Sequence, residues 1–387
     1  MKNILIFIDS SLGELDWIAP FLTSKYGKEF QFTLFFKSFP VSQKIIQDFN
    51  LQKENITLLS NDDVFYSFDK KYEKIIRYLL KKTKKFQWFH QKILQYQYRK
   101  VSTKISIENK FDAIFRDFNL KDSLELHNFM LYNPNAKIVV FPHAVGIQRI
   151  AKCFEDSALP SVDTDLWLEN TPLSTRALPQ YKDVFFAAGI PMLDKIVDAK
   201  QNNYDFHSDT VFILTRDSYK EFGTTREGML NAFTKALEFC QKYHLDVIVK
   251  HHPRDKKLYQ YRDIQKQFQN VTEYDKSLTN IDVKLRACLS VYSTAGIFFT
   301  AMKVPVFDFT PYHSCKEKNL IFHYCGDDGI YTHDLVEIGV QNKISDFQIL
   351  LDEKGLNTLS SKQFAMLKKH FPLNANENIA NKLRELT

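Results

Sequence analysis

Lys250-His251-His252-Pro253-Arg254 follows directly on the apolar run Val247–Val249. Pro253 fixes its own φ and pushes His252 towards an extended conformation, so the side chains at this strand end point in defined directions. An imidazole there can donate to a phosphate oxygen, with Lys250 or Arg254 adding charge; the plain alternative is a basic surface loop. Further on, Tyr292-Ser293-Thr294-Ala295-Gly296 closes a second apolar run and leads into a helix from Ile297. Two hydroxyls and free amides at a helix start make an anion site, although Ser and Thr also cap helices. A third strand end, Thr215-Arg216, offers a guanidinium suited to a bidentate phosphate grip or to a structural ion pair. Arg216, Lys250, His252, Arg254, Ser293 and Thr294 are therefore the expected phosphate-binding set.

Proton removal needs a different group. His143 follows the buried run Ile138–Phe141, and an unperturbed imidazole titrates near neutral pH. Gly13 permits a tight turn after the first strand, which leaves Glu14 and Asp16 near a helix start as alternative bases or simply as partners of the helix dipole. Gly326-Asp327-Asp328-Gly329 reads as a turn, and two adjacent acids alone make a poor metal site. No metal and no cofactor are expected. The chain has no GxGxxG or Walker motif.

These groups need a scaffold that brings strand ends together. Asn3–Asp9, Phe32–Lys37, Ile56–Leu59, Ala113–Asp117, Lys137–Pro142, Asp165–Leu168 and Val184–Ala187 are short Ile-, Val-, Leu- and Phe-rich runs separated by longer helical or polar stretches. That alternation predicts a parallel sheet covered on both faces. The polar stretch Asp198–Asp209 reads as a linker. A second series follows at Thr210–Leu214, Asp246–Lys250, Val271–Tyr274, Cys288–Tyr292 and Val304–Phe307, with a helix over Gly228–His244. The fold class is α/β, with two Rossmann-like domains, 1–200 and 205–387, facing a central cleft. The last segment, Ser361–Thr387, either caps the second domain or returns to the first.

The 387 residues, 44% hydrophobic and 25% charged, suit two globular domains. No apolar run reaches the roughly 18 residues a membrane span needs, and the opening run is too short for a signal peptide. Five scattered cysteines without CxxC spacing fit a reducing cytoplasm. The net charge of +6 is unevenly spread, because residues 70–104 carry twelve Lys and Arg against one acid, Glu73. Aromatic and aliphatic residues recur there at helical spacing, which predicts a basic amphipathic helical insertion able to rest on an anionic membrane or to pack with a solvated basic face. No nucleic-acid motif accompanies the charge, so nucleic acid is not an expected partner.

Taken in order, several of these pieces resemble the CDP-glycerol glycerophosphotransferase and capsule-polysaccharide transferase family of GT-B fold. They are Pro142-His143-Ala144, Gly189-Ile190-Pro191-Met192-Leu193-Asp194, Thr215-Arg216, Lys250 to Pro253, Tyr292-Ser293-Thr294 and Lys303-Val304-Pro305. The resemblance covers roughly residues 140–320 and extends to bacterial sialyl- and Kdo transferases, which use CMP-sugars. Three positions depart from the family pattern: Ala144 stands for Gly, Val291 for Asp and Thr294 for Ser.

The resemblance implies that His252 with Ser293 and Thr294 binds the donor phosphate and that His143 is the base. The enzyme so implied moves a glycosyl or polyol-phosphate unit from a CMP- or CDP-linked donor to a hydroxyl of a bacterial capsule, lipooligosaccharide or teichoic-acid-like glycan. Its partners would be the nucleotide-activated donor, a glycan or lipid-linked acceptor and, through 70–104, the inner face of the cell membrane. Two other expectations stand beside it: a UDP-N-acetylglucosamine 2-epimerase-like isomerase, which needs several cleft carboxylates, and a non-catalytic membrane-docking scaffold.

Overall fold

The structure is a computed structural model that describes residues 1–8, 12–37, 42–60, 109–117, 124–142, 164–173, 183–216, 224–252, 255, 257–291, 293–312, 324–325, 331–332, 334–344 and 346–387. The basic segment 70–104, His143, Arg254, Tyr292 and the turn Gly326–Gly329 lie outside the described residues. Of Glu14 only the backbone is described.

Seven parallel strands form the first sheet: β1 (Lys2–Ile8), β2 (Phe30–Phe36), β3 (Ile56–Ser60), β4 (Ala113–Asp117), β5 (Lys137–Phe141), β6 (Leu166–Glu169) and β7 (Phe185–Ala187). Their order is β3-β2-β1-β4-β5-β6-β7. Ile4, Leu5, Ile6, Phe7 and Ile8 are all buried, as expected of a strand covered on both faces. Helix α1 (Leu12–Leu22) covers one face with Leu15, Trp17, Ile18, Phe21 and Leu22. The short α2 (Gln43–Asp48) follows β2, and α3 (Leu124–Tyr132) covers the other face through Leu126 and Phe129.

The second sheet repeats the plan with β8 (Thr210–Leu214), β9 (Asp246–Lys250), β10 (Val271–Glu273), β11 (Ala287–Ser290), β12 (Val306–Asp308) and, after the hairpin β13 (Tyr324–Cys325) and β14 (Tyr331–Thr332), β15 (Asn342–Lys343). The order is β10-β9-β8-β11-β12-β15, parallel throughout. Helix α4 (Pro191–Asp198) joins the sheets and buries Leu193 and Ile196 in the second core. Helix α5 (Arg226–Lys242) starts at Thr225, whose side chain accepts from the Gly228 amide, and buries Met229, Phe233, Ala236, Leu237 and Cys240 at helical spacing. Helices α6 (Leu258–Gln265), α7 (Gly296–Ala301), α8 (Asp334–Glu337) and α9 (Glu353–His370) complete this half.

The final helix, α10 (Ala375–Leu386), returns to the first half. Its apolar stripe, Ile379, Ala380 and Leu383, joins the first core, where burying each large aliphatic side chain contributes roughly 1.5–3 kcal/mol. Arg384 grips Glu29 with Nε–Oε2 at 2.9 Å and Nη2–Oε1 at 2.7 Å.

The two crossings between the halves are stitched together. The Asp194 carboxylate accepts from the Ala375 and Asn376 amides at 3.0 and 2.8 Å, so a side chain of the outgoing crossing caps the returning helix. Asn376 and Asn378 donate in turn to the Pro191 and Ala188 carbonyls. Gly189, at φ +98°, sits where a Cβ would lie 2.2 Å from the Pro372 carbonyl oxygen. The Gly-Ile-Pro-x-x-Asp segment is thus the joint between the halves. Burial raises the Asp194 carboxyl to about 6 despite the opposing pull of the two amides.

Residues 199–209 differ from a free linker. Asn203 is buried with its amide on the Ile281 and Val283 carbonyls, and Tyr204 bridges to Leu285. Polar composition concealed this because the partners lie some eighty residues away. Among the described residues no helix is long and apolar enough to cross a membrane.

Candidate functional site at the second switch point

In both sheets the strand order reverses beside the first strand, between β1 and β4 and between β8 and β11. The crevice at the carboxyl end of such a reversal is where open α/β sheets bind ligands. Three of the sequence-derived strand ends meet at the second reversal. The Thr215 amide donates to the Lys250 carbonyl at 3.1 Å and the Val291 amide to the Leu214 carbonyl at 3.0 Å, so Thr215-Arg216 lies between His251-His252 and the Ser293 loop.

Side-chain alternation sorts these residues by face. Val247 and Val249 pack into the core under α5 and α6, and His251 continues their side of the strand. Its Nδ1 lies 2.9 Å from Thr215 Oγ1 and its Nε2 3.0 Å from Gln265 Oε1. His252 falls on the opposite face with Lys250 and Ile248, the face on which α7 packs. Arg216 shares that face, in line with Phe212 and Leu214. Arg216 and His252 are half-buried, and Thr215 is buried.

Lys250 reaches towards the residues that follow β10. Its ammonium donates to the Lys276 carbonyl at 2.7 Å and stands 5.4 Å from the centre of the Tyr274 ring. Burial lowers its pKa, with Asp275 opposing. Burial also lowers that of His251, against the pull of its Gln265 bond, Glu273 and Asp255 and in concert with Arg262.

The Ser293 loop differs from expectation. The amides from Ala295 onward are engaged within the loop: the Ala295 amide donates to Ser293 Oγ, and the Gly296, Ile297 and Phe298 amides donate to the Ser293, Thr294 and Ala295 carbonyls. Ala295, not a hydroxyl residue, stands at the helix cap, without a side-chain bond. Ser293 is buried and Thr294 half-buried, so Thr294 presents the more accessible hydroxyl. Gln341 braces the loop by donating from Nε2 to the Ser293 carbonyl at 3.3 Å. A Cβ at Gly296 would come within 2.4 Å of that same amide nitrogen. On the neighbouring strand the buried Asp308 carboxylate accepts from the Thr310 amide at 3.0 Å and from the Tyr312 hydroxyl at 2.5 Å, which fixes the next loop.

At the first switch point, Glu14 and Asp16 lie in α1, whose helix begins at Leu12 and takes in Gly13 where a turn was expected; Asp16 is exposed. Sequence reasoning missed two buried acids in this sheet, one beside the switch point and one two strands away. Asp117 ends β4 on the face covered by α1, in register with Phe141, and Glu169 ends β6 with Oε1 accepting from Trp167 Nε1 at 2.9 Å. The available signal was an acid closing an otherwise apolar strand, in Phe115-Arg116-Asp117 and Leu168-Glu169-Asn170. Asn170 in turn accepts from Trp17 Nε1 at 2.6 Å, tying α1 to this edge. Among the described residues no group of three or more His, Cys, Asp or Glu is placed to hold a metal ion.

Comparison with solved structures bears on this two-sheet plan. Over its whole length the chain is similar to S. aureus MnaA solved with UDP, at 12% identity and a TM-score of 0.59, covering 99% of this chain and 96% of that one. It is equally similar to UDP-GlcNAc 2-epimerase from Neisseria meningitidis bound to UDP-GlcNAc, at 12% identity and a TM-score of 0.59, with both chains covered completely (100%). The fold is GT-B-like.

A glycosyltransferase from Rickettsia africae also shares it, at 11% identity and a TM-score of 0.55, over 100% of this chain and 98% of that one. By sequence, residues 157–301 match the protein-family model described as Alpha-2,8-polysialyltransferase (POLYST). That glycosyltransferase-like stretch contains Arg216, Lys250, His252, Ser293 and Thr294. No curated protein matches the chain.

Proposed function

We propose that the protein is a GT-B glycosyltransferase that moves an acidic sugar from a CMP-linked donor to a hydroxyl of a bacterial surface glycan. The observation that carries this reading is that the polysialyltransferase match spans the three strand ends that meet at the second switch point. A match to a glycosyl-transferring family favours a sugar over a polyol-phosphate as the transferred group. In this reading the second half binds the donor and the first half the acceptor, with residues 70–104 holding the enzyme against an anionic membrane.

In the reaction the acceptor oxygen forms a bond to the anomeric carbon as the bond from that carbon to the CMP phosphate oxygen breaks. CMP departs with the bonding electron pair, and the acceptor proton passes to a base. Arg216 and His252 stabilise the charge that grows on the leaving phosphate, and Thr294 adds a hydroxyl donor. Lys250 stands behind them, held by the Lys276 carbonyl. The base comes from the first half of the chain, where Glu14, Asp16 and Asp117 and, two residues after β5 in the sequence, His143 are the candidates.

A second reading, an isomerase resembling the UDP-GlcNAc 2-epimerases, gains from the buried acids Asp117 and Glu169, which supply carboxylates that Glu14 and Asp16 alone did not. Melting the protein with each nucleotide separates the two. CMP or CDP should raise Tm more than UDP or ADP, with the shift lost in His252→Ala. A selective response to UDP together with interconversion of UDP-GlcNAc would establish the isomerase, and equal or absent responses would overturn the cytidine assignment. Wild-type protein that binds no nucleotide and transfers nothing, yet stays on anionic vesicles through residues 70–104, would assign function to the membrane-docking segment instead.

A further inference from the structure

The histidine pair divides its labour, and the inner member has a task of its own. We propose that His251 is a positioning residue whose neutral imidazole locks Thr215 and so sets the direction in which Arg216 and His252 meet a nucleotide phosphate. This rests on the reading that the second switch point holds the donor.

The lock is a chain of bonds across three elements. Gln265 Oε1 can only accept, so the His251 Nε2 facing it at 3.0 Å carries the proton. Nδ1 is then an acceptor, and the Thr215 hydroxyl 2.9 Å away donates to it. The same strand end is held a second time, because the Tyr261 hydroxyl donates to the Arg216 carbonyl at 3.0 Å. Tyr261 is itself fixed: its ring lies 5.7 Å from that of His251, and the Arg226 guanidinium stacks over it at 4.6 Å while pairing with Asp255 at 3.0 Å. Thr215 and Arg216 are thus anchored by side chain and by backbone to one polar cluster on the face away from the crevice.

Protonation would break the pattern. A charged imidazole turns Nδ1 into a donor facing a hydroxyl that must then reverse. The charged groups facing His251 are Glu273, whose Oε1 is 3.7 Å from Nε2, with Arg262 and Asp255 beyond. Glu273 is already engaged by Arg262 at 2.8 and 2.9 Å, which blunts its attraction for an imidazolium. Burial of the ring favours the neutral form as well.

The test has two parts, both on the full-length protein. Imidazole 15N NMR, with the His251 signals assigned by their loss in His251→Gln, should show the neutral Nε2–H tautomer at pH 7 and a titration midpoint below that of an exposed histidine. An Nδ1–H tautomer or a charged ring at pH 7 would overturn the lock. In transfer assays, or in CMP titrations, Thr215→Val and His251→Ala should each raise the donor KM or Kd about tenfold, with kcat changing less. His251→Asn, which keeps an acceptor for Thr215, should recover most of that loss. The double variant should be no worse than either single one.

Unchanged donor affinity in Thr215→Val sinks the proposal even where His251→Ala fails to fold. Failure of wild-type protein to bind any nucleotide falls instead on the functional reading, and the tautomer measurement then decides the lock by itself.

Discussion

The two sheets share one strand order, yet the described residues at their carboxyl ends differ in character, even with the buried Arg116 beside Asp117 in the first. In the first sheet two strands close on buried acids, Asp117 on β4 beside the switch point and Glu169 on β6, two strands away and on the other face, with Glu14 and Asp16 in α1. At the second, the ends carry Arg216, His252, Ser293 and Thr294, and the buried acid Asp308 is occupied in fixing its own loop. In the proposed transfer such a division keeps the group that gains a proton apart from the groups that hold the phosphate. The repeated topology supplies two switch points, between which the proposed roles are divided.

Exchanging single groups tests that division, and the largest effect should come from the acidic edge. Asp117→Asn should lower kcat by about 10²–10⁴-fold, the range of general base catalysis, while nucleotide affinity stays within twofold. An equal loss of nucleotide binding would break the comparison. At the other edge His252→Ala should weaken CMP binding about tenfold or more in calorimetry and leave the melting temperature of the free protein unchanged.

Next comes the brace behind the second edge. Gly296→Ala would press a methyl group onto Gln341, so it should lower Tm by several degrees and weaken nucleotide binding in proportion to the loop's displacement. A Tm equal to wild type would mean that the loop gives way freely.

The smallest effect concerns the joint that the two halves share. The Asp194 carboxyl titrates at about 6 in the folded protein against an ordinary 3.8, so the folded state holds its proton more tightly than the unfolded chain does. Its contribution therefore favours folding at acid pH and declines as pH rises from about 4 to about 6. The stability difference between wild type and Asp194→Asn should slope downward across that window and run flat above it. A flat difference throughout would mean that burial and the amides of α10 cancel, and a difference that rises with pH below about 4 would mean that the amides govern this group.

Much of the scaffold was legible beforehand because parallel strands covered on both faces read as unbroken apolar runs. Ala113–Asp117, Thr210–Leu214 and Asp246–Lys250 form strands with the bounds expected of them. Lys137–Pro142 stops one residue early, at Phe141, as the missing amide of proline requires. The three strand ends of the second edge were legible for the same reason, since each polar cluster follows an apolar run directly.

What escaped the sequence depends on distant partners. Nothing local shows that Asp194 caps a helix beginning at Ala375, or that Asn203 is pinned to Ile281. The two histidines look alike in a string of letters, and only the continuation of the alternation of Val247 and Val249 tells the inner one from the outer. Asp117 and Glu169 were passed over because an acid at the end of a strand resembles the start of a loop until its burial is known.

The return of α10 to the first core also has a consequence in time. A ribosome delivers the strands of the first sheet early, but Ile379, Ala380 and Leu383, which seal that core, emerge only after the entire second half. At ordinary synthesis rates the wait is on the order of ten to forty seconds, during which the nascent first half exposes an unsealed apolar seam. The half made first is therefore the half finished last.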